Sequence, residues 1–273
     1  MSRPELITAP ELFYNDKEAR KYTANSRMIT IQTSMAERCL ELLTLPPAQP
    51  SLILDIGCGS GLSGEVLTSA GHTWVGMDVS KDMLDVGLEE SRTGDLLLSD
   101  MGQGFGFRPG SFDGAISVSA VQWLCYSIKK DHVVSKRLTA FFSSLYRALK
   151  RGARAALQLY PENPEQLEMM TTAALRCGFS GGLVVDFPNS TKAKKYYLCL
   201  IAGVDPGAAL PKALGTAVAA AAAEKKRVQA AAAARSTKKS KSWILAKQDR
   251  QRRQGKDVRH SSKYTGRKRK DQF

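Results

Sequence analysis

The chain has 273 residues, enough for one sizeable domain with an extension or for two small ones, and its 43% hydrophobic content suits a packed core. Its formal net charge is +14, and all of it is C-terminal: residues 224–273 hold 18 Lys and Arg against 4 Asp and Glu, whereas the first 223 residues hold 22 of each sign. A neutral body with a cationic tail argues against a uniformly basic surface, and no apolar stretch approaches the ~20 residues of a membrane helix.

The predicted elements alternate from the start to about residue 201. Helices are expected at 11–22 and 27–44, followed by a loop marked by Pro46, Pro47 and Pro50. A strand at 51–56 leads to a helix at 62–70 that ends at Gly71. A second strand at 73–79 precedes a helix capped by Ser80 and running to Glu90. Strands at 95–99 and 112–119 come next, then a helix from Val133 to Arg151 that ends at Gly152. A strand at 153–160, a helix at 165–177 stopped by Gly178, and strands at 183–187 and 196–202 complete the order. Such alternation predicts a parallel α/β sheet with helices on both faces. Beyond Gly207, Ala-rich sequence with Lys and Arg has high helix propensity but little to bury, and the tail past Lys238 is polar and basic. Three parts follow: an N-terminal helical segment, 1–45, that caps the cofactor site; a main domain, 46–205; and a tail, 206–273.

The five cysteines (Cys39, Cys58, Cys125, Cys177, Cys199) show no CxxC pair and no metal-ligand spacing, so no metal site is expected. The N-terminus carries Arg3, Glu5 and Glu11 rather than an apolar run, and reduced thiols of a cytosolic or nuclear protein are expected.

The loop Leu54-Asp55-Ile56-Gly57-Cys58-Gly59-Ser60-Gly61 follows a strand and precedes a helix. Glycines there let the backbone approach a ligand closely. A dinucleotide fingerprint, G-x-G-x-x-G, fails at Leu62. The pattern is D-x-G-x-G-x-G instead, with Asp55 ahead of the first glycine; an acid there would repel a pyrophosphate but suits the cationic methionine end of S-adenosylmethionine. Asp78 closes the second strand about 20 residues beyond the glycines, where it can accept both ribose hydroxyls. Asp100 and Met101 follow the third strand, placed to accept the adenine amino group and to pack on its ring. Ser117 lies on the fourth strand, whose C-terminal end faces the sulfonium in this architecture. The expected cofactor set is therefore Asp55, Gly57, Gly59, Gly61, Asp78, Asp100, Met101 and Ser117, in a class I methyltransferase (Rossmann-like) seven-stranded sheet.

Four further strings carry more specific information: Phe13-Tyr14-Asn15-Asp16, Ser117 through Leu124, Phe187 through Lys195, and Ser262 through Arg269. They resemble the eukaryotic small-subunit rRNA guanine-N7 methyltransferases, over nearly the whole chain. Arg151-Gly152-Ala153 departs from the Pro-Gly-Gly of many class I enzymes, away from the cofactor. The resemblance implies methylation of one guanosine at N7 in 18S rRNA during small-subunit maturation. It also implies a nuclear, partly nucleolar protein with some in the cytoplasm, paired as a heterodimer with an obligate small zinc-ribbon activator shared with other methyltransferases.

N7 of guanine has an unprotonated in-plane lone pair at neutral pH, so its methylation needs no general base and no His or Cys nucleophile is expected. His72 and His132 lack a partner constellation and read as surface or loop residues. Gln122 and Trp123 are the candidates to hold the base, the indole by stacking and the amide by pairing with the base edge; Trp123 reads equally as a core residue under the helix at 134–149. Tyr14, Tyr22 and Arg27 either close over the cofactor or pack as an amphipathic face. Lys192, Lys194 and Lys195 lie in a loop that either contacts phosphate or is merely solvated. Lys263, Arg267, Lys268 and Arg269 belong to a tail whose cations neutralise phosphates without reading sequence, and whose basic clusters also read as import signals. Leu96, Leu97 and Leu98 form an apolar edge strand, a hazard unless a partner covers it, and strand addition by the activator would do so. A small-molecule methyltransferase, and an assembly factor whose methylation is dispensable, remain as alternatives at this point.

Overall fold

Leu52–Ile56 forms β1, and all of it beyond Leu52 is buried, as a strand covered on both faces must be. It pairs in parallel with Thr73–Asp78 (β2) on one side and Phe112–Val118 (β4) on the other. Outward from these, β2 pairs in parallel with Asp95–Leu98 (β3), and β4 with Leu149–Leu159 (β5). Lys195–Ala202 (β7) runs antiparallel between β5 and Phe179–Asp186 (β6), giving the order β3-β2-β1-β4-β5-β7-β6. The sheet is thus mixed, which corrects the all-parallel expectation. The reason is the short return from β6 to β7, too short for the crossover helix that a parallel pair requires.

The computed structural model describes residues 3–47, 49–127, 129, 132–191, 193–203 and 211–215, together with Ile244, Gln248, Gln251, Arg252 and Val258. The unit that runs through Leu214 is compact. Lys192, Lys263, Arg267, Lys268, Arg269, and the helix and import signals expected in the tail, lie outside the described residues.

Alternation along the strands sends side chains to two cores. Leu54, Ile56 and Leu157 meet Phe141, Phe142 and Leu145 of α6 (Val134–Ala148), with Met170 and Ala174 of α7 (Pro164–Arg176) in the same cluster. Ile53, Ile116 and Ala156 face the other way, onto Cys39, Leu42 and Leu43 of α3 (Ser26–Leu43) and Leu67 of α4 (Leu62–Ser69). Each fully buried Phe or Leu of this kind contributes about 1.5–3 kcal/mol.

Two helix boundaries differ from the sequence expectation. The first helix divides into α1 (Pro10–Phe13) and α2 (Asp16–Ala24), because Asn15 caps α2 by accepting from the Glu18 N–H at 3.2 Å. The helix expected to reach Arg151 stops at Ala148: Leu149 turns extended, is buried, and pairs with Phe112. Gly152, at φ +81°, absorbs the register shift that follows.

At the end of β6, Asp186 forms a buried ion pair with Arg38 of α3 at 2.8 Å and accepts from the Leu214 N–H at 2.7 Å. Phe187 in turn donates its N–H to the Leu214 carbonyl. Residues 211–214 are thereby tied beside the C-terminal edge of the sheet.

Candidate active site

The C-terminal ends of β1, β2 and β4 open into a cavity of about 510 Å³, at the point where strand order reverses. Its floor is the glycine loop. Gly57 and Cys58 donate their N–H groups to the Met77 carbonyl, which folds the loop back over β2. Gly57 sits at φ +69°, and a Cβ there would come within 2.2 Å of the Ala120 Cβ. No side chain fits, so the cradle stays open to a ligand.

Asp78 fixes the loop from the other side, accepting from the Gly59 N–H at 2.9 Å and the Ser80 N–H at 2.8 Å. Burial pushes its carboxyl up, against the opposing pull of these N–H groups. Asp100 and Met101 line the same wall. Burial also raises the Asp100 carboxyl, but Arg137 and the Gly102 N–H more than offset it and hold it below the usual range.

Of the predicted cofactor residues, Gly57, Gly59, Asp78, Asp100 and Met101 line the cavity; Asp55, Gly61 and Ser117 do not. Gly61 is the N-cap of α4 at φ +85° and faces Arg92 and Trp74. Ser117 is fully buried and donates to the Ile56 carbonyl at 2.7 Å, which leaves Val118, Ser119 and Ala120 to line the site instead. Asp55 stands behind the loop, fully buried, with Oδ2 accepting from Ser63 at 2.6 Å and Oδ1 unpartnered among the described residues. Burial pushes its carboxyl up to about 7, with Ser63 pulling it down and the charge of Asp78 adding to the rise.

The N-terminal helices form the far wall. Thr23 of α2 donates to Ser60 Oγ at 2.8 Å, and Ser80 donates to the Tyr14 carbonyl at 2.7 Å. Ala19 of α2 packs on Met83 and Val86 of α5 (Lys81–Glu89). Arg3 ties the start of the described chain to the Tyr160 and Pro161 carbonyls. Tyr14 and Tyr22 therefore line the cavity; Arg27 is exposed and does not. Burial drives the Tyr14 hydroxyl up to about 12, with the charges of Glu5 and Asp78 adding to the effect, so it remains a neutral phenol.

Trp123 lines the cavity although it is buried, and its ring meets Phe13 and Tyr14 at centroid distances of 6.4 and 6.3 Å. Gln122 lies beside it, donating to Glu5 Oε1 at 3.1 Å and to the Ser119 carbonyl at 2.8 Å. His72 accepts from the Ser51 N–H, away from the cavity, while His132 lines it, with Nε2 3.3 Å from Arg137. Lys195 opens β7 at the same edge of the sheet, opposite Asp186, and Lys194 immediately precedes it. Glu5, Arg137 and Tyr160 also line the site and had no motif to announce them.

One methyltransferase-domain family model matches residues 54–157, and a second, described as a methyltransferase involved in Williams-Beuren syndrome, matches residues 200–271. The chain is 60% identical to the 18S rRNA (guanine-N(7))-methyltransferase of Mus musculus, over 99% of this chain and 98% of that one. It is 54% identical to the protein of the same description from Bos taurus, with the same coverage. Among solved structures, a phosphoethanolamine N-methyltransferase from Haemonchus contortus superposes at TM-score 0.52 and 19% identity, over 70% of this chain and 58% of that one. Magnesium protoporphyrin IX methyltransferase from Synechocystis superposes at TM-score 0.51 and 15% identity, over 74% and 98%. These two share the fold.

Proposed function

We infer how this chain works from the premise that it belongs to the 18S rRNA (guanine-N7)-methyltransferase family. It is an S-adenosylmethionine-dependent enzyme that methylates N7 of a guanosine in 18S rRNA. The observation that carries this reading is a single cavity with a glycine-loop end (Gly57, Gly59, Asp78, Met101) and an aromatic and amide end (Tyr14, Gln122, Trp123).

The residues present fit the cofactor. The Gly57 cradle admits backbone-close contact, Asp78 keeps lone pairs for the ribose diol, and Met101 offers a face to adenine. Asp55 places a buried carboxyl with a spare oxygen behind the methionine end. When bound, S-adenosylmethionine supplies a methyl on a sulfonium; N7 takes the methyl with its lone pair, the broken bond's electrons stay on sulfur, and the positive charge ends on the guanine. Trp123 and Tyr14 stack against a base taken out of its own stack, and Gln122 holds its edge. Orienting N7 in this way supplies several kcal/mol without any proton transfer.

We divide the work along the chain as 1–45 for closing the cofactor site, 46–205 for the chemistry and 206–273 for holding RNA. The substrate is then pre-small-subunit rRNA, and the protein works in the nucleus and nucleolus, with a cytoplasmic share. A zinc-ribbon activator fits β3: this strand is the edge of the sheet, and Leu97 and Leu98 stand 39% and 55% exposed on it. An added strand would pair its free backbone and cover both leucines. Leu98→Lys should therefore break the heterodimer in co-purification while the isolated fold keeps its Tm.

Mass spectrometry of 18S rRNA tests the function. Cells lacking the protein should lose one N7-methylguanosine, restored by the wild-type chain; an unchanged modification profile would end this reading. Normal subunit maturation with a variant that cannot bind cofactor would show that its presence matters beyond its chemistry.

A further inference from the structure

Gln122 is 2% exposed, lines the cavity, and carries a side-chain oxygen with no partner among the described residues. Its amide orientation is set by two acceptors, Glu5 Oε1 and the Ser119 carbonyl, both of which demand the Nε2 side. Oε1 is thereby left as an acceptor with nothing to accept. A buried acceptor in this state is costly to leave unpaired, so it is a place where a ligand donor gains.

Beside it stands Glu5, a carboxylate 6% exposed, on a single 3-10 turn (Pro4–Leu6) far from the glycine loop in sequence. Gln122 uses one lone pair of Glu5, and the carboxylate retains others. Together they present an edge made only of acceptors. Among the bases, guanine is the one whose pairing edge offers two adjacent donors, N1–H and the N2 amino group. Adenine presents a lone pair at N1, which a carboxylate repels.

We propose that Glu5 and Gln122 form the base-reading edge of the site, with Glu5 accepting from guanine N1–H and Gln122 Oε1 from the N2 amino group. The proposal rests on the guanine-N7 reading above and adds Glu5 to it. The arrangement also favours the reaction beyond binding. As the ring gains positive charge, N1–H becomes more acidic, and the bond to an anionic acceptor strengthens during transfer. The carboxylate is thus held more tightly by the product-like base than by the starting one.

The test uses the full-length chain co-expressed and purified with its activator, with tritiated S-adenosylmethionine and small-subunit particles from cells lacking the protein, reading label in N7-methylguanosine. Glu5→Gln is expected to lower kcat/KM roughly 10- to 100-fold, while S-adenosylmethionine binds by calorimetry as to wild type. A wild-type rate in that variant overturns the proposal. The second arm compares inhibition by 7-methylguanosine 5′-monophosphate with that by 7-methylinosine 5′-monophosphate, which lacks only the N2 amino group. Wild type should favour the first and Gln122→Met should lose the preference, a change that loose packing alone would not produce. Equal inhibition of the wild type by the two nucleotides overturns the proposal, even where Glu5→Gln fails to fold. Wild-type heterodimer that labels no N7-methylguanosine overturns the functional reading itself, and this inference with it.

Discussion

Arg137 holds Asp100 by two parallel 2.9 Å hydrogen bonds, Nη1 to Oδ2 and Nη2 to Oδ1. The guanidinium lies flat over Gly102, where a Cβ would come within 2.3 Å of Cζ. The pair is largely shielded from solvent, so each bond is of the stronger charge-assisted kind. Asp100 thus reaches the cavity wall already oriented by a residue of α6, 37 positions further on.

Removing that support should weaken cofactor binding, because Arg137 lines the same cavity and orients Asp100 within it. Arg137→Met is expected to raise the Kd for S-adenosylmethionine roughly 10- to 100-fold, the range of a lost charged hydrogen bond. Isothermal titration calorimetry measures it directly. An unchanged Kd would mean that Asp100 has no part in holding the ligand.

Asp55 gives a pH dependence whose sign follows from its environment. Its ordinary value of 3.8 rises to about 7 in the folded chain, chiefly through burial. Between those values the native state binds the extra proton, so stability falls as pH rises, and the loss is complete above the folded value. Asp55→Asn carries no charge and escapes this loss. The Tm advantage of Asp55→Asn over wild type should therefore be larger at about pH 8 than at about pH 5. A cationic ligand should also bind wild type more tightly as Asp55 ionises, and a flat Kd across that interval would refute the coupling.

The glycine-loop half of the site is legible in the sequence because it is local. One strand, one turn and one helix carry Gly57 and Gly59, and Asp78 follows at the end of the next strand. The other half is assembled from distance. Gln122 finds Glu5 117 residues away, and Arg3 finds Tyr160 across 157. No periodicity or spacing encodes such a meeting, and Glu5 reads in the sequence only as a charge near the N-terminus. Ser117 shows the other limit: it lies on β4 as expected, but its hydroxyl is spent on the Ile56 carbonyl, and the cavity is lined by the residues that follow, where Ser119 leaves the strand at φ +59°. The two misplaced helix ends also have local causes. Asn15 and Leu149 each had a better use, as a cap and as a buried strand residue.

Trp74 supplies a stability prediction away from the cavity. Its indole is 2% exposed and donates to Thr68 Oγ1 at 3.0 Å. It fills a slot made by glycines: a Cβ on Gly64 would stand 2.1 Å from Cζ2, and one on Gly94 2.3 Å from Cε2. Gly64 is helical, so alanine there should gain slightly by propensity. The clash is with a ring that cannot flex aside, and overpacking of this kind costs about 1–3 kcal/mol. Gly64→Ala should accordingly lower stability in urea denaturation. A gain would show that Trp74 has room to move.

Lys194 and Lys195 stand where the sheet's ligand edge meets solvent. Lys195 Nζ lies 5.0 Å from the centroid of Tyr160, which lines the cavity, and Lys194 Nζ lies 6.0 Å from that of Tyr196. The Tyr160 face holds the Lys195 ammonium near the site, and the Tyr196 face holds that of Lys194, in neither case neutralising the charge. If they contact phosphates of the substrate, each should contribute about one unit to the slope of log K against log salt. Lys194→Gln with Lys195→Gln should reduce that slope by roughly two, measured by filter binding of an 18S rRNA fragment between about 50 and 200 mM salt. Affinity for S-adenosylmethionine should stay as in wild type, because neither lysine lines the cofactor wall. An unchanged slope would assign these lysines to solvent and leave phosphate binding to other parts of the chain.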